Sequence, residues 1–208
     1  MTILEMHDLA DLLIDKANAP WFSPAEKDSF INLGINEYVK NKYRAFEIDE
    51  KVREDLLTLV SEVFVVNSTD IINLEIVPNF LFALRLEMDV SSDCGLLRGV
   101  PITPMQQDDF SESQRDPFNQ ATDKYPQYLQ NVQGGNRTIQ VYSNNTPTEI
   151  RMIYLRQPVT VDISVPTDSD LPAHTHEEIV NLTVRKMLAT IEGFQNYQIQ
   201  LNEINKQE

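Results

Sequence analysis

Apolar residues near the end of the chain recur at Val180, Val184, Met187, Ile191 and Phe194, with Ile179 and Leu188 widening the stripe. Steps of four and three put them on one face of an α-helix. Pro172 suits the first turn of that helix, where a missing N–H costs nothing. Thr175 and Glu178 offer a competing start as a capping box, and only one of the two can be the true cap. Ahead of them, Ile150 to Arg156 reads as a strand stopped by Gln157-Pro158.

The other end of the chain is also helical in pattern. Thr2 and Glu5 form a capping-box pair, and Met6, Leu9, Leu13 and Ala17 make a stripe that Asn18-Ala19-Pro20 ends. Ser23, Pro24 and Glu26 open a second helix lined by Phe30, Ile31, Leu33, Ile35, Tyr38 and Val39. Gly34 inside it costs about 1 kcal/mol relative to Ala, which points to close packing there. A third helix is expected from about Asp49 to Val60, with Val52, Leu56, Leu57 and Val60 inward.

Between these ends the period changes to that of strands. Val63 to Val66 is short, apolar and β-branched, a buried-strand signal. Ile71 to Val77, Leu97 to Ile102, Tyr128 to Val132, Thr138 to Tyr142 and Glu149 to Leu155 add five more, and Phe80 to Met88 fits either helix or strand, with the alternation from Leu86 to Val90 favouring strand. Gly134-Gly135-Asn136 and Ser143 to Pro147 supply turns. Thr103-Pro104 can open a short helix through Phe110, and the stretch from there to Pro126 reads as a long ordered loop. Loops of that length usually carry function or pack on a partner. The expected fold is α+β: N-terminal helices (1–60) and a C-terminal helix and tail (161–208) packed as a helical bundle, with a β-rich insertion (61–160) between them.

Composition narrows the function. The chain has 208 residues, 41% of them hydrophobic, enough for a sizeable core. Its formal charge is −15, from 17 basic and 32 acidic residues. Such a chain repels phosphate, which argues against tight nucleic-acid binding. The acidic excess lies in both flanks, while residues 95–160 balance. One cysteine, Cys94, excludes an internal disulfide and suggests assembly in a reducing cytoplasm. The first residues are acidic and do not read as a signal peptide, and no apolar run approaches membrane length.

Candidate chemistry is thin. His174-x-His176 has a spacing that can bind zinc, but the third histidine, His7, lies at the far end of the sequence. Glu177 and Glu178 have a plain role at a helix start, where the dipole favours acids. Asp108-Asp109 with Glu112 could be a carboxylate pair, yet no second acidic pair is placed to oppose it. Cys94 has no cation nearer in sequence than Arg98. Gly-rich phosphate loops and nucleophile elbows are absent. The chain is therefore read as non-enzymatic, with no catalytic residue, metal or cofactor.

Surface is the better lead. Trp21-Phe22, Phe110, Phe118, Tyr125 and Tyr128 are aromatics in loop-like surroundings, either loop anchors or interface residues. After Gly193, Tyr197, Ile199 and Leu201 alternate with Gln and Asn, so an extended tail lying on a partner competes with a continued helix. The interface candidates are Tyr197, Ile199, Leu201, Ile204, Phe118 and Tyr125.

The layout also resembles a known family. A strand ending Tyr154-Leu155-Arg156-Gln157-Pro158, a polar spacer, then Leu171-Pro172 and a long closing helix is similar to the adaptor or ring proteins of tailed bacteriophages, including a crAss-like version. The resemblance covers about two thirds of the chain, and it lies in a pattern of elements, with no sharp motif. It implies a structural virion protein that forms a twelve-fold ring of its own subunits at the portal–tail junction. The implied partners are the portal and further tail or ring proteins, with DNA passing through the channel without specific binding. A different reading of the same strands is a tail-associated binding module of β-sandwich character.

Overall fold

The computed structural model describes residues 1–15, 22–46, 48–65, 70–92 and 95–204, without the side chains of 15 and 192–204. Among the described residues there are five helices: α1 (Ile3–Asp15), α2 (Pro24–Tyr43), α3 (Glu50–Leu56), α4 (Gln107–Ser113) and α5 (His176–Ile204). The strands among them are β1 (Val60–Val65), β2 (Ile71–Asn73), β3 (Phe80–Ser92), β4 (Gly95–Pro104), β5 (Gln127–Gln133), β6 (Asn136–Tyr142) and β7 (Pro147–Arg156). The chain divides into two compact units, one of residues 1–59 with 158–208 and the other of residues 60–157.

In the helical unit both expected capping boxes form. The Thr2 amide donates to Glu5 Oε2 at 2.8 Å and the Glu5 amide to Thr2 Oγ1 at 3.3 Å. Ser23 and Glu26 close the same reciprocal pair at the start of α2. These bonds satisfy amides that have no partner within the helix. α1 and α2 each pack on α5, and α3 packs on α2. The α2–α5 crossing is set by Gly34. A Cβ there would fall on Thr183 Oγ1 and lie 3.1 Å from the Ile179 carbonyl oxygen.

The expected helical bundle is not what forms. α3 has seven residues and gives way to a 3-10 turn, Leu57–Leu59, and Val60 already belongs to β1. Part of the core is instead supplied by the non-helical segment 158–172, through buried Val161 and Leu171. Asn32 clasps Val161 from both sides: its Nδ2 donates to the Val161 carbonyl at 3.0 Å and its Oδ1 accepts the Val161 amide at 2.9 Å. Asp28 accepts the Ile163 amide at 3.2 Å, and Asp168 accepts the Ile3 amide at 2.7 Å. Polar side chains thus dock an irregular segment where a bundle would need another apolar helix.

Individual faces shift accordingly. α1 buries Ile3, Met6, His7, Ala10 and Ile14, leaving Leu9 and Leu13 half-buried. Leu33 and Leu57, expected inward, are exposed. Thr175 donates its hydroxyl to the Pro172 carbonyl and so does not cap Glu178. Ala173–Thr175 form a 3-10 turn before α5 begins at His176.

The second unit is one seven-stranded sheet in the order β1-β7-β3-β4-β5-β6-β2. All neighbours run antiparallel except β4 and β5, which meet in a short parallel pairing at Thr103 and Pro104. That junction carries the long excursion from 105 to 126, since a parallel pair cannot be joined by a tight hairpin. The Gly134-Gly135 hairpin takes positive φ at both positions, as a two-residue turn demands. Alternate residues Leu86, Met88 and Val90, Ile150, Met152 and Tyr154, and Ile139 and Val141 enter a single buried cluster with Ile72 and Ile102. Residues near both ends of the strand order share that core, so the sheet curls over itself. β1, expected to be buried, is an edge strand with Phe64 half exposed. Of Ile71 to Val77, only the first three residues are strand; a 3-10 turn, Leu74–Ile76, follows.

Candidate functional site

The histidine pair does not converge on a ligand. His174 Nε2 lies 2.8 Å from Asp55 Oδ1, whereas His176 is buried and its Nε2 donates to the Leu171 carbonyl at 2.9 Å. His7 is buried at α1, 2.8 Å from Asp28. Among the described residues no group of three or more His, Cys, Asp or Glu side chains is placed to hold a metal ion. Asp108, Asp109 and Glu112 sit on exposed faces of α4, the two aspartates in its first turn. Cys94 and Trp21 lie outside the described residues. No described helix is long and apolar enough to cross a membrane.

Asp55 is the hub of a polar cluster that sequence reading missed. Its Oδ1 faces His174, and its Oδ2 accepts from the Tyr38 hydroxyl at 2.9 Å and lies 3.5 Å from Lys42 Nζ. Lys42 also reaches Glu178 at 3.2 Å. Burial disfavours the Asp55 carboxylate, but its bonds to His174, Tyr38 and Lys42 outweigh that and hold its pKa below the usual 3.8. Burial and Asp55 together push the Tyr38 phenol up. The cluster ties α2, α3 and the start of α5 together. Its members come from three distant stretches of sequence, so only the i, i+4 pairs Tyr38–Lys42 and His174–Glu178 carry a local signal.

In the sheet unit Glu87 is buried on β3 between Arg85 and Arg151, the latter at 2.6 Å. Two arginines on one buried carboxylate make this a structural clamp. It borders a small cavity of about 230 Å³ with Phe64, Asp89 and Glu149.

The loop aromatics separate into two kinds. Phe110 stacks on Tyr142 with ring centroids 4.3 Å apart, and Phe22 meets Phe30 edge-on at 5.5 Å. Tyr128 packs against the sheet core. These are anchors. Phe118 and Tyr125 are 95% and 74% exposed. Their loop is nonetheless held from below. Asp116 accepts the Phe118 amide at 3.0 Å and the Asn119 side-chain amide at 2.6 Å. The Asn119 carbonyl accepts from Ser113 Oγ and Gln127 Nε2, at 2.9 and 2.8 Å. Asp123 accepts both amides of Asn145, at 2.9 and 2.7 Å. Asp116-Pro117 was the available signal, since Asp commonly bonds the amide two residues on. Of the other interface candidates, Tyr197, Ile199, Leu201 and Ile204 lie on the last turns of α5, whose backbone is helical to Ile204. The extended alternative is thereby not adopted; their side chains lie outside the described residues.

What the fold offers, then, is presented surface: a fixed loop with solvent-facing aromatics, and a closing helix of 29 residues. The family model of the SU10 adaptor protein matches residues 1–205, and the chain belongs to this family. It is a structural adaptor of a bacteriophage and a component of the virion. No curated protein matches the chain.

Proposed function

We propose that the protein forms a ring at the junction of portal and tail, a head-to-tail connector through which DNA passes. The family match over residues 1–205 carries this reading. The formal charge of −15 supports it, because an acidic channel lets phosphates slide without sticking. The ring is a homo-oligomer of twelve subunits matched to the portal, as the crAss-like layout implies. Its work is geometric and uses no cofactor. The end of α5, with Tyr197, Ile199, Leu201 and Ile204, clasps the portal or the next ring, and Phe118 and Tyr125 contact neighbours.

The test is the native mass of the full chain, alone and with the portal protein of the same phage. A ring-sized species in either sample is the expected result. A monomer in both would refute the proposal. A second measurement addresses the clasp: deleting residues 198–208 should preserve the far-UV circular dichroism of the body and abolish portal association. Undiminished association would remove those residues from the interface.

A further inference from the structure

Phe118 and the open flank of α5 are two solvent-facing features of the same chain. Phe118 projects fully into solvent from a loop whose shape is already fixed by Asp116, Asn119 and Gln127. A side chain held this way loses little conformational freedom when it docks. The same chain carries a seat for it. Along α5, Asn181, Val184, Arg185, Leu188 and Ala189 line a groove of about 440 Å³. Val184, Leu188 and Ala189 give it an apolar floor, on the flank of the helix beside the buried face of Ile179, Thr183 and Met187.

Charge selects the pairing. The helix and loop leading to Phe118 hold Asp108, Asp109, Glu112 and Asp116 against one cation, Arg115. The groove holds an exposed cation, Arg185. Its acidic neighbour, Glu37, is already bound by Lys186. A guanidinium beside a seated phenyl ring adds a cation–π contact to the attraction between loop and groove.

We infer that Phe118 of one copy seats in the α5 groove of an adjacent copy, between Leu188 and Arg185. Knob and seat are different surfaces, so the contact is head-to-tail, the kind that closes into a ring when the rotation between copies permits. The inference rests on the ring reading and names the residues that join one subunit to the next.

Cross-linking between copies tests it. In a Cys94→Ser background, isotopically heavy Phe118→Cys protein is mixed with light Leu188→Cys protein under ring-forming conditions and oxidised. The expected product is a disulfide-linked heavy–light peptide pair joining positions 118 and 188. The double variant should give a ladder of multimers without reductant, where each single variant stops at dimers. Phe118→Ala should keep the circular dichroism of the wild type and raise the concentration needed for assembly on the order of tenfold to a hundredfold. Rings of the wild type with no 118–188 link and unchanged assembly of Phe118→Ala would overturn this contact and leave the ring intact. A link from position 118 only to another virion protein would assign the knob elsewhere and overturn it equally. Absence of any ring from the wild type would remove the proposed function, and this contact with it.

Discussion

Replacing Gly34 by Ala should destabilise the helical unit, against the intrinsic preference of the helix. By propensity alone, Ala in a helix interior is better than Gly by about 0.8–1.0 kcal/mol. The crossing of α2 and α5 reverses the sign. The new methyl would overlap Thr183 Oγ1 and press the Ile179 carbonyl oxygen at 3.1 Å. Thr183 has no room to yield. It is fully buried, β-branched, and its hydroxyl donates to that same Ile179 carbonyl at 2.9 Å. Relief requires the helices to part, and overpacking of this kind costs about 1–3 kcal/mol. The expected net loss is up to about 2 kcal/mol once propensity is subtracted. Urea unfolding followed by far-UV circular dichroism reads it directly. In a Thr183→Ala background the worst overlap is gone, so the penalty for Gly34→Ala should shrink by more than half. Stabilisation by Gly34→Ala, or an equal loss in both backgrounds, would refute the claim that this crossing depends on glycine.

Asn32→Asp should cost about 1–3 kcal/mol, because a carboxylate can accept the Val161 amide but cannot donate to its carbonyl; Asn32→Asp matching the wild type in a urea melt would contradict this. Asp55 is held below its ordinary pKa in the fold, so its contribution is present above 3.8 and is lost as pH falls through the folded value. Asp55→Asn should therefore be less stable at neutral pH by about 1–3 kcal/mol and show a shallower loss in acid than the wild type, measured by thermal melts over a pH series; parallel acid limbs would assign the effect to other carboxylates.

Local signals carry much of the fold. The Ser23-Pro24-Glu26 start forms as its pattern predicts, because a capping box is satisfied within one turn and needs no tertiary partner. Gly134-Gly135 forms its hairpin for the same reason. Gly34 is legible as a point of close approach, though not that Thr183 is the neighbour. The failures lie where a long-range partner decides. His7 falls outside the apolar stripe of α1 and is buried because Asp28 meets it from α2, which moves the buried face off Leu9 and Leu13. Thr175 has the pattern of a cap and instead closes a 3-10 turn onto Pro172. Among the interface candidates, Phe118 and Tyr125 are recognisable as loop aromatics, but Phe110 and Tyr128 have the same local setting and are anchors. The difference is whether a ring such as Tyr142 stands opposite, which no local pattern encodes.

The same logic explains why the helices do not assemble as a bundle. A bundle needs each helix to spend a continuous apolar stripe on its neighbours. α2 spends part of its surface differently: Lys27 is buried against Asp11, Asp28 serves His7 and the Ile163 amide, and Asn32 serves both groups of Val161. Asp28 and Asn32 are one turn apart, on the side where a bundle would place leucines. The backbone of segment 158–172 offers amides and carbonyls that would be costly to bury unpaired. Side chains on α2 supply the partners that a sheet or helix would have supplied. An irregular segment can therefore lie on the core without a helix or strand of its own. Because its path is fixed by side-chain bonds at a few points, the geometry delivered to Leu171 and the start of α5 depends on Asp28 and Asn32 as much as on any apolar contact. On the proposed reading, in which the end of α5 meets a partner, those two polar residues help set where that helix begins.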